Sequence, residues 1–298
     1  MISIVGTVFV AVLGLAFGSF LNVCLTRWPK EECIVSPRSH CRNCDHVLAW
    51  WENVPLVSWL ALRGRCRECR GWIGWRYPLV ELAVAVLWAV PGWKLCNEMN
   101  LLNLPLMQAY DDLFLAACWM FFYWMMVALA VLDAEQFWLP DRVTVLGIGI
   151  GCLVAPIHAG LVGVSAIKDP ALSVAHLVSS ALFSALMSAA LAGGLILAIS
   201  GIYWLIRRRE GIGLGDAKLM ALLGAWLSFP GALLALGIGV ILGAGAALIL
   251  LAVPGAEGTT DKWGLKKLPL GTFLCIGGVI SSFWSGPMIA AYLRWIGF

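Results

Sequence analysis

The chain has 298 residues, enough for one large or two ordinary soluble domains, yet 61% of it is hydrophobic, only 12% is charged and its mean hydropathy is +0.89. A soluble protein of this length carries about a quarter of its residues as charged side chains, so a water-covered globular surface is excluded. A net charge of +3 is too small to argue for a nucleic-acid partner. Sixteen Trp and 32 Gly suit a chain whose solvent is lipid, where Trp settles at interfaces and Gly lets helices approach closely.

In chain order, apolar runs fall at about 2–24, 78–93, 112–132, 142–161, 172–206, 217–229, 232–253 and 270–293. Measured against the roughly 20 residues that cross a bilayer, they predict an all-α polytopic membrane protein of about eight transmembrane helices. The second and sixth runs are short and the fifth is long, so tilt or local thinning must absorb the mismatch. Arg27 and Lys30 follow the first run instead of preceding it, which reads as a spanning helix with its N-terminus outside and not as a signal peptide. Alternation then puts 25–77, 133–141, 207–216 and 254–269 inside. Of the 20 basic residues, all but Lys94, Lys168 and Arg294 fall in those segments or at their junctions, as the excess of Lys and Arg in cytoplasmic loops requires. The expected organisation is a first helix (1–24), a cytoplasmic module (25–77) and a transmembrane core (78–298).

The module carries two C-x-x-C pairs, Cys41–Cys44 and Cys66–Cys69, separated by 21 residues. Two tight turns at this spacing offer four thiolates to a tetrahedral zinc. A disulfide pair is the alternative, but a reducing cytoplasm disfavours it, and about fifty residues with so small a core fold poorly without a metal. Four thiolates leave no open coordination position, so the metal is expected to be structural. His40 and His46 flank the first pair and read as loop histidines. Most of the other six cysteines lie in apolar runs and read as small core residues.

Carboxylates near the membrane are expensive and therefore functional candidates. Asp133 ends the third apolar run, and Asp216 opens the sixth within Gly213-Leu-Gly215-Asp216. Two aspartates at one depth on different helices can share a proton, one serving as general base on a water and the other as general acid to the leaving amine. The glycines before Asp216 allow close approach of an extended peptide backbone. Each acid also has a structural reading. Asp141 fits an N-cap after Pro140, Glu135 a solvated charge, Asp216 a cap, and Asp133 an ion pair with Arg142 or Lys218. Glu81 either pairs with an arginine of the module or lines a pocket.

Taken together, these residues resemble the type IV prepilin peptidases, the family called prepilin leader peptidase/N-methyltransferase, almost end to end. The resemblance rests on Gly18-Ser19-Phe20-Leu21-Asn22-Val23 with Arg27 and Pro29, on the cysteine pairs around Asn53 to Trp59, on Tyr77-Pro78 with Glu81-Leu82, on Asp133 through Leu139-Pro140-Asp141, on Gly213 to Met220 with Gly224-Ala225-Trp226, and on Leu268-Pro269-Leu270-Gly271. It implies that Asp133 and Asp216 are the catalytic pair and that prepilin and pseudopilin precursors are cut at the cytoplasmic face of the bacterial inner membrane. It further implies that the new N-terminal amine is methylated by S-adenosylmethionine. The sequence shows no methyl-donor site of its own, because no Gly-rich dinucleotide fingerprint follows a predicted strand. The competing readings are a peptidase without methyl transfer, a Gly-x-Gly-Asp intramembrane protease of the presenilin type, and a non-enzymatic carrier or secretion-system scaffold.

Overall fold

A computed structural model describes residues 2–99, 106–166, 174–209, 211, 213–252 and 268–295. The described residues form helices α1 (Ile2–Arg27), α2 (Val57–Ala61), α3 (Arg76–Met99), α4 (Leu106–Gln136), α5 (Asp141–Ala166), α6 (Val174–Arg207), α7 (Leu214–Ala252) and α8 (Leu270–Trp295), with no named strand among them. All but α2 are long and apolar enough to cross a membrane. This is the only spanning solution open to an unclosed chain, since a helix satisfies its own backbone N–H and C=O where no water can. The basic residues Lys168, Lys262, Lys266 and Lys267, which entered the topology argument, lie outside the described residues.

The structure divides into two compact units, Met1–Ala128 and Leu129–Phe298. In the first, α1 and α3 run antiparallel along a seam of small residues. A Cβ on Gly14 would stand 2.8 Å from the Ala85 Cα, and one on Gly18 2.7 Å from the Glu81 Cα. Only a missing side chain lets two backbones come so near, the packing that membrane helices use when apolar contact with lipid and with protein is equally good. One turn further on, the Asn22 Nδ2 donates to the Tyr77 carbonyl at 3.0 Å. Between α1 and α3 the chain leaves the helical layer to build the cysteine module.

In the second unit α7 is one apolar stretch by composition but two helices by geometry. Ser228 has φ 65° and ψ 168°, a conformation almost restricted to glycine, and Pro230 follows it. The contacts show that the direction reverses there. Before the break, Gly193 of α6 packs on Ala221 and Gly224 packs on Ala192. After it, the Ser281 Oγ donates to the Gly231 carbonyl at 2.7 Å, Gly277 meets Ala235, and Gly239 meets Phe273, so the second half of α7 climbs back along α8 towards its N-terminal end. Among the described residues the seven long helices thus give eight apolar segments, α7 supplying two, in keeping with the separate runs at 217–229 and 232–253. The core of this unit is lined by Leu129, Leu132, Leu219, Met220, Leu222, Leu223 and Leu274, all at most 1% exposed.

The α6–α7 contact makes a direct test of this packing. A Cβ on Gly224 would collide with the Ser188 carbonyl, whereas one on Gly245 meets nothing within 4 Å. Gly224→Val is expected to cost about 1–3 kcal/mol by overpacking and to lower the thermal unfolding midpoint in detergent, while Gly245→Ala leaves it at or above the wild-type value.

Candidate functional site

The four cysteines of the first unit converge. Their Sγ atoms all lie within 4.8 Å of one another, with Cys41–Cys69 at 3.8 Å and Cys44–Cys66 at 3.9 Å. A tetrahedral ion with metal–sulfur bonds of about 2.3 Å separates its ligands by about 3.8 Å, so the donor set fits such an ion and is far too open for a disulfide. The two turns are built alike. Cys41 N–H donates to the His46 carbonyl and Cys66 N–H to the Gly71 carbonyl, and the residues after the second cysteine of each pair, Asp45 and Arg70, take left-handed φ of 55° and 58°. The Asn43 and Gly71 amides donate to the Cys41 and Cys69 sulfurs at 3.4 Å. His46 points elsewhere, with its Nε2 3.1 Å from the Glu52 Oε2, and the His40 Nδ1 contacts the Arg38 carbonyl. The Ala49 amide and the His46 ring hold the Glu52 carboxyl below the ordinary carboxylate range.

In the second unit Asp133 is 6% exposed in the last turns of α4. Its Oδ2 accepts the Thr272 N–H at 2.7 Å and lies 3.2 Å from the Thr272 Oγ1, which also donates to the Ala130 carbonyl at 2.9 Å. The first turn of α8 comes this close because residue 271 is glycine: a Cβ there would stand 2.9 Å from the Asp133 Cγ. Asp216, half-buried in the first turn of α7, turns back to Gly213, with its Oδ2 3.8 Å from where a Gly213 Cβ would be. The Leu139 side chain touches both glycine positions, Gly215 beside Asp216 and Gly271 beside Asp133, so the two acids' helix ends meet at one side chain. Cys275, one turn below Gly271, is completely buried.

The structural readings of these acids separate. Asp141 occupies the first position of α5 rather than capping it, and its Oδ1 accepts the Lys218 Nζ at 2.6 Å. That pairing occupies Lys218, one of the two cations considered as a partner of Asp133, and among the described residues no ion pair joins a cation to Asp133 or Asp216. Glu135 is exposed. Glu81 meets the module through its backbone and not through an arginine: its Oε2 accepts the Leu56 N–H at 2.8 Å. Sequence reasoning missed Thr272 and Leu139. Leu139 stood only within the motif ending at Asp141 and Thr272 in no motif, because their roles arise from contacts with residues more than 70 positions away.

Residues 12–95 match the bacterial peptidase A24 N-terminal domain, and residues 120–248 match the type IV leader peptidase family. Similar curated proteins include the prepilin leader peptidase/N-methyltransferase of Myxococcus xanthus, 36% identical over 84% of this chain and 65% of that protein. Those of Stutzerimonas stutzeri and Pseudomonas aeruginosa are 30% and 31% identical, over 95% and 96% of this chain and 92% and 93% of theirs. No solved structure matches.

The thiolate cluster has a stoichiometric consequence. The purified protein is expected to carry about one divalent ion per chain, following the four-ligand closure of structural sites. Elemental analysis should show Cys41→Ser and Cys69→Ser losing it, with faster proteolysis between residues 38 and 72. Metal-free protein with that segment fully protected would contradict the assignment.

Proposed function

The chain belongs to the prepilin leader peptidase/N-methyltransferase family, and from that premise we propose that it removes the leader of type IV prepilins and pseudopilins at the cytoplasmic face of the inner membrane and methylates the amine so exposed. One observation carries the peptidase half. Two carboxylates that no described cation neutralises, Asp133 and Asp216, stand at the ends of two helices of one unit, with the Leu139 side chain packed on the glycine beside each. Buried acids without a counter-ion are retained where chemistry needs them.

The mechanism follows from that pair. One aspartate, ionised, takes a proton from a water that attacks the scissile carbonyl. The other, protonated, gives its proton to the leaving amine. The Thr272 amide and hydroxyl fix Asp133 from one side, which favours a preset orientation over a mobile side chain. Asp216 is the more exposed member. Gly213 and Gly215 leave room for an extended backbone beside it. The cysteine cluster suits zinc as its ion, since a closed set of four thiolates in a reducing compartment is characteristic of structural zinc. S-adenosylmethionine is the proposed methyl donor; when bound it supplies an electrophilic methyl group on a sulfonium. The inside-rich distribution of basic residues supports the cytoplasmic orientation.

Asp133→Asn and Asp216→Asn keep size and hydrogen bonding while removing acid–base capacity. Each alone should reduce leader removal by at least about 10²-fold, the usual scale of general acid–base catalysis, and methylation of an already cleaved pilin should continue. Wild-type cleavage should show a bell-shaped pH profile, falling at low pH when both acids are protonated and at high pH when both are ionised. Substantial cleavage by either variant would remove that aspartate from the mechanism.

A further inference from the structure

The first unit holds another buried carboxylate, which leader removal leaves without a task. Glu81 is 7% exposed, and its partners, the Leu56 amide at 2.8 Å and the Ser19 hydroxyl, are both uncharged. One turn nearer the module on the same α1–α3 seam is Asn22. It is 3% exposed, and its Nδ2 is spent on the Tyr77 carbonyl, yet its Oδ1 has no hydrogen-bond partner. A helical side chain leans towards the N-terminus of its own helix, which carries the Glu81 carboxylate towards the level of Tyr77 and Asn22. The seam therefore presents a carboxylate and an orphaned carbonyl oxygen, acceptors both. A buried acceptor left unpaired is costly and calls for an explanation.

The complement to two acceptors, one of them anionic, is a cationic group with several N–H donors. Resting on the reading of the chain as a methyltransferase, we infer that Glu81 and Asn22 form the methyl-acceptor site, which binds the α-amine of the cleaved pilin. The ammonium takes the place of the Leu56 N–H on Glu81 and gives a second N–H to the Asn22 Oδ1. Glu81 accepts one proton, and the nitrogen lone pair so freed forms the N–C bond to the donor methyl. The sulfur–methyl bond breaks, its electron pair stays on sulfur as a neutral thioether, and the positive charge passes to the N-methylammonium product. Glu81 then returns its proton to water. The cover over the site is the module segment around Leu56, whose φ of 57° and ψ of −46° mark it as strained. This ties methyl transfer to the cysteine module without giving the metal any chemical step.

The full-length protein in detergent tests this with three readouts: leader removal from an intact precursor, labelled-methyl transfer to a peptide with a mature pilin N-terminus, and binding of that peptide without donor. Glu81→Gln keeps an acceptor for the Leu56 amide. It should lower the kcat of methylation by about 10²-fold or more, with leader removal within about threefold of wild type and metal content unchanged, the limits expected of a residue that takes no part in the proposed cleavage step. Asn22→Ala should weaken donor-free peptide binding about tenfold, the scale of one lost hydrogen bond to a charged group, and neither variant should alter binding of an N-acetylated peptide. Methylation by Glu81→Gln at the wild-type rate would overturn the proposal. So would a parallel loss of cleavage, methylation and metal, which would make Glu81 only an anchor for the module. Wild-type protein that cleaves precursor but never methylates the mature peptide would sink the methyltransferase reading itself, a different result from either.

Discussion

Inside a bilayer every polar group must find its partner within the protein, and a carboxylate finds one most readily where two helices touch backbone to backbone. The contact between Asp133 and the first turn of α8 is of that kind. Glycine at 271 removes the side chain that would otherwise hold α8 away, and the Thr272 amide then meets the carboxylate at 2.7 Å. Leu139, packed on Gly215 and Gly271, brings the start of α7 to the same place. The reversal at Ser228 returns the chain along α8 and braces it from behind. Remove the close approach, and the reason for two unneutralised acids to share one depth is lost.

The first unit applies the same device to a different end. Gly14 and Gly18 bring α1 onto α3, and the seam they open holds Asn22 and Glu81. Glu81 reaches out to the Leu56 amide and so ties the module's middle to the membrane helices, while the four cysteines tie its two ends to each other. Two units matched by two family descriptions, 12–95 and 120–248, suit an enzyme with two separable chemistries.

Much of this was legible from residue order. The C-x-x-C pairs fix their geometry locally, because each knuckle closes within seven residues and the same turn occurs twice. Apolar run lengths located the long helices among the described residues, including the break between 217–229 and 232–253, since a proline and the limit on span length both mark it. The acids were visible as expensive residues in an apolar context. Their partners were not. Thr272 lies 139 positions from Asp133 and Lys218 lies 77 from Asp141, so no periodicity or spacing links them. The cap expected of Asp141 gave way for that reason: local propensity favours the helix N-terminus, but an ammonium at 2.6 Å offers the carboxylate a charge-assisted bond that the helix amides do not match.

The claim on which the rest stands is that α8 positions Asp133 for leader removal through the close contact that glycine at 271 allows. Gly271→Ala adds one methyl group 2.9 Å from the Asp133 Cγ, so the carboxylate must move. Single-turnover cleavage of a prepilin by this variant, beside methylation of a mature pilin peptide by the same preparation, measures the consequence. The account predicts cleavage slowed by about 10²-fold, as a misplacement near 1 Å produces, with methylation kept. Cleavage at the wild-type rate would contradict it.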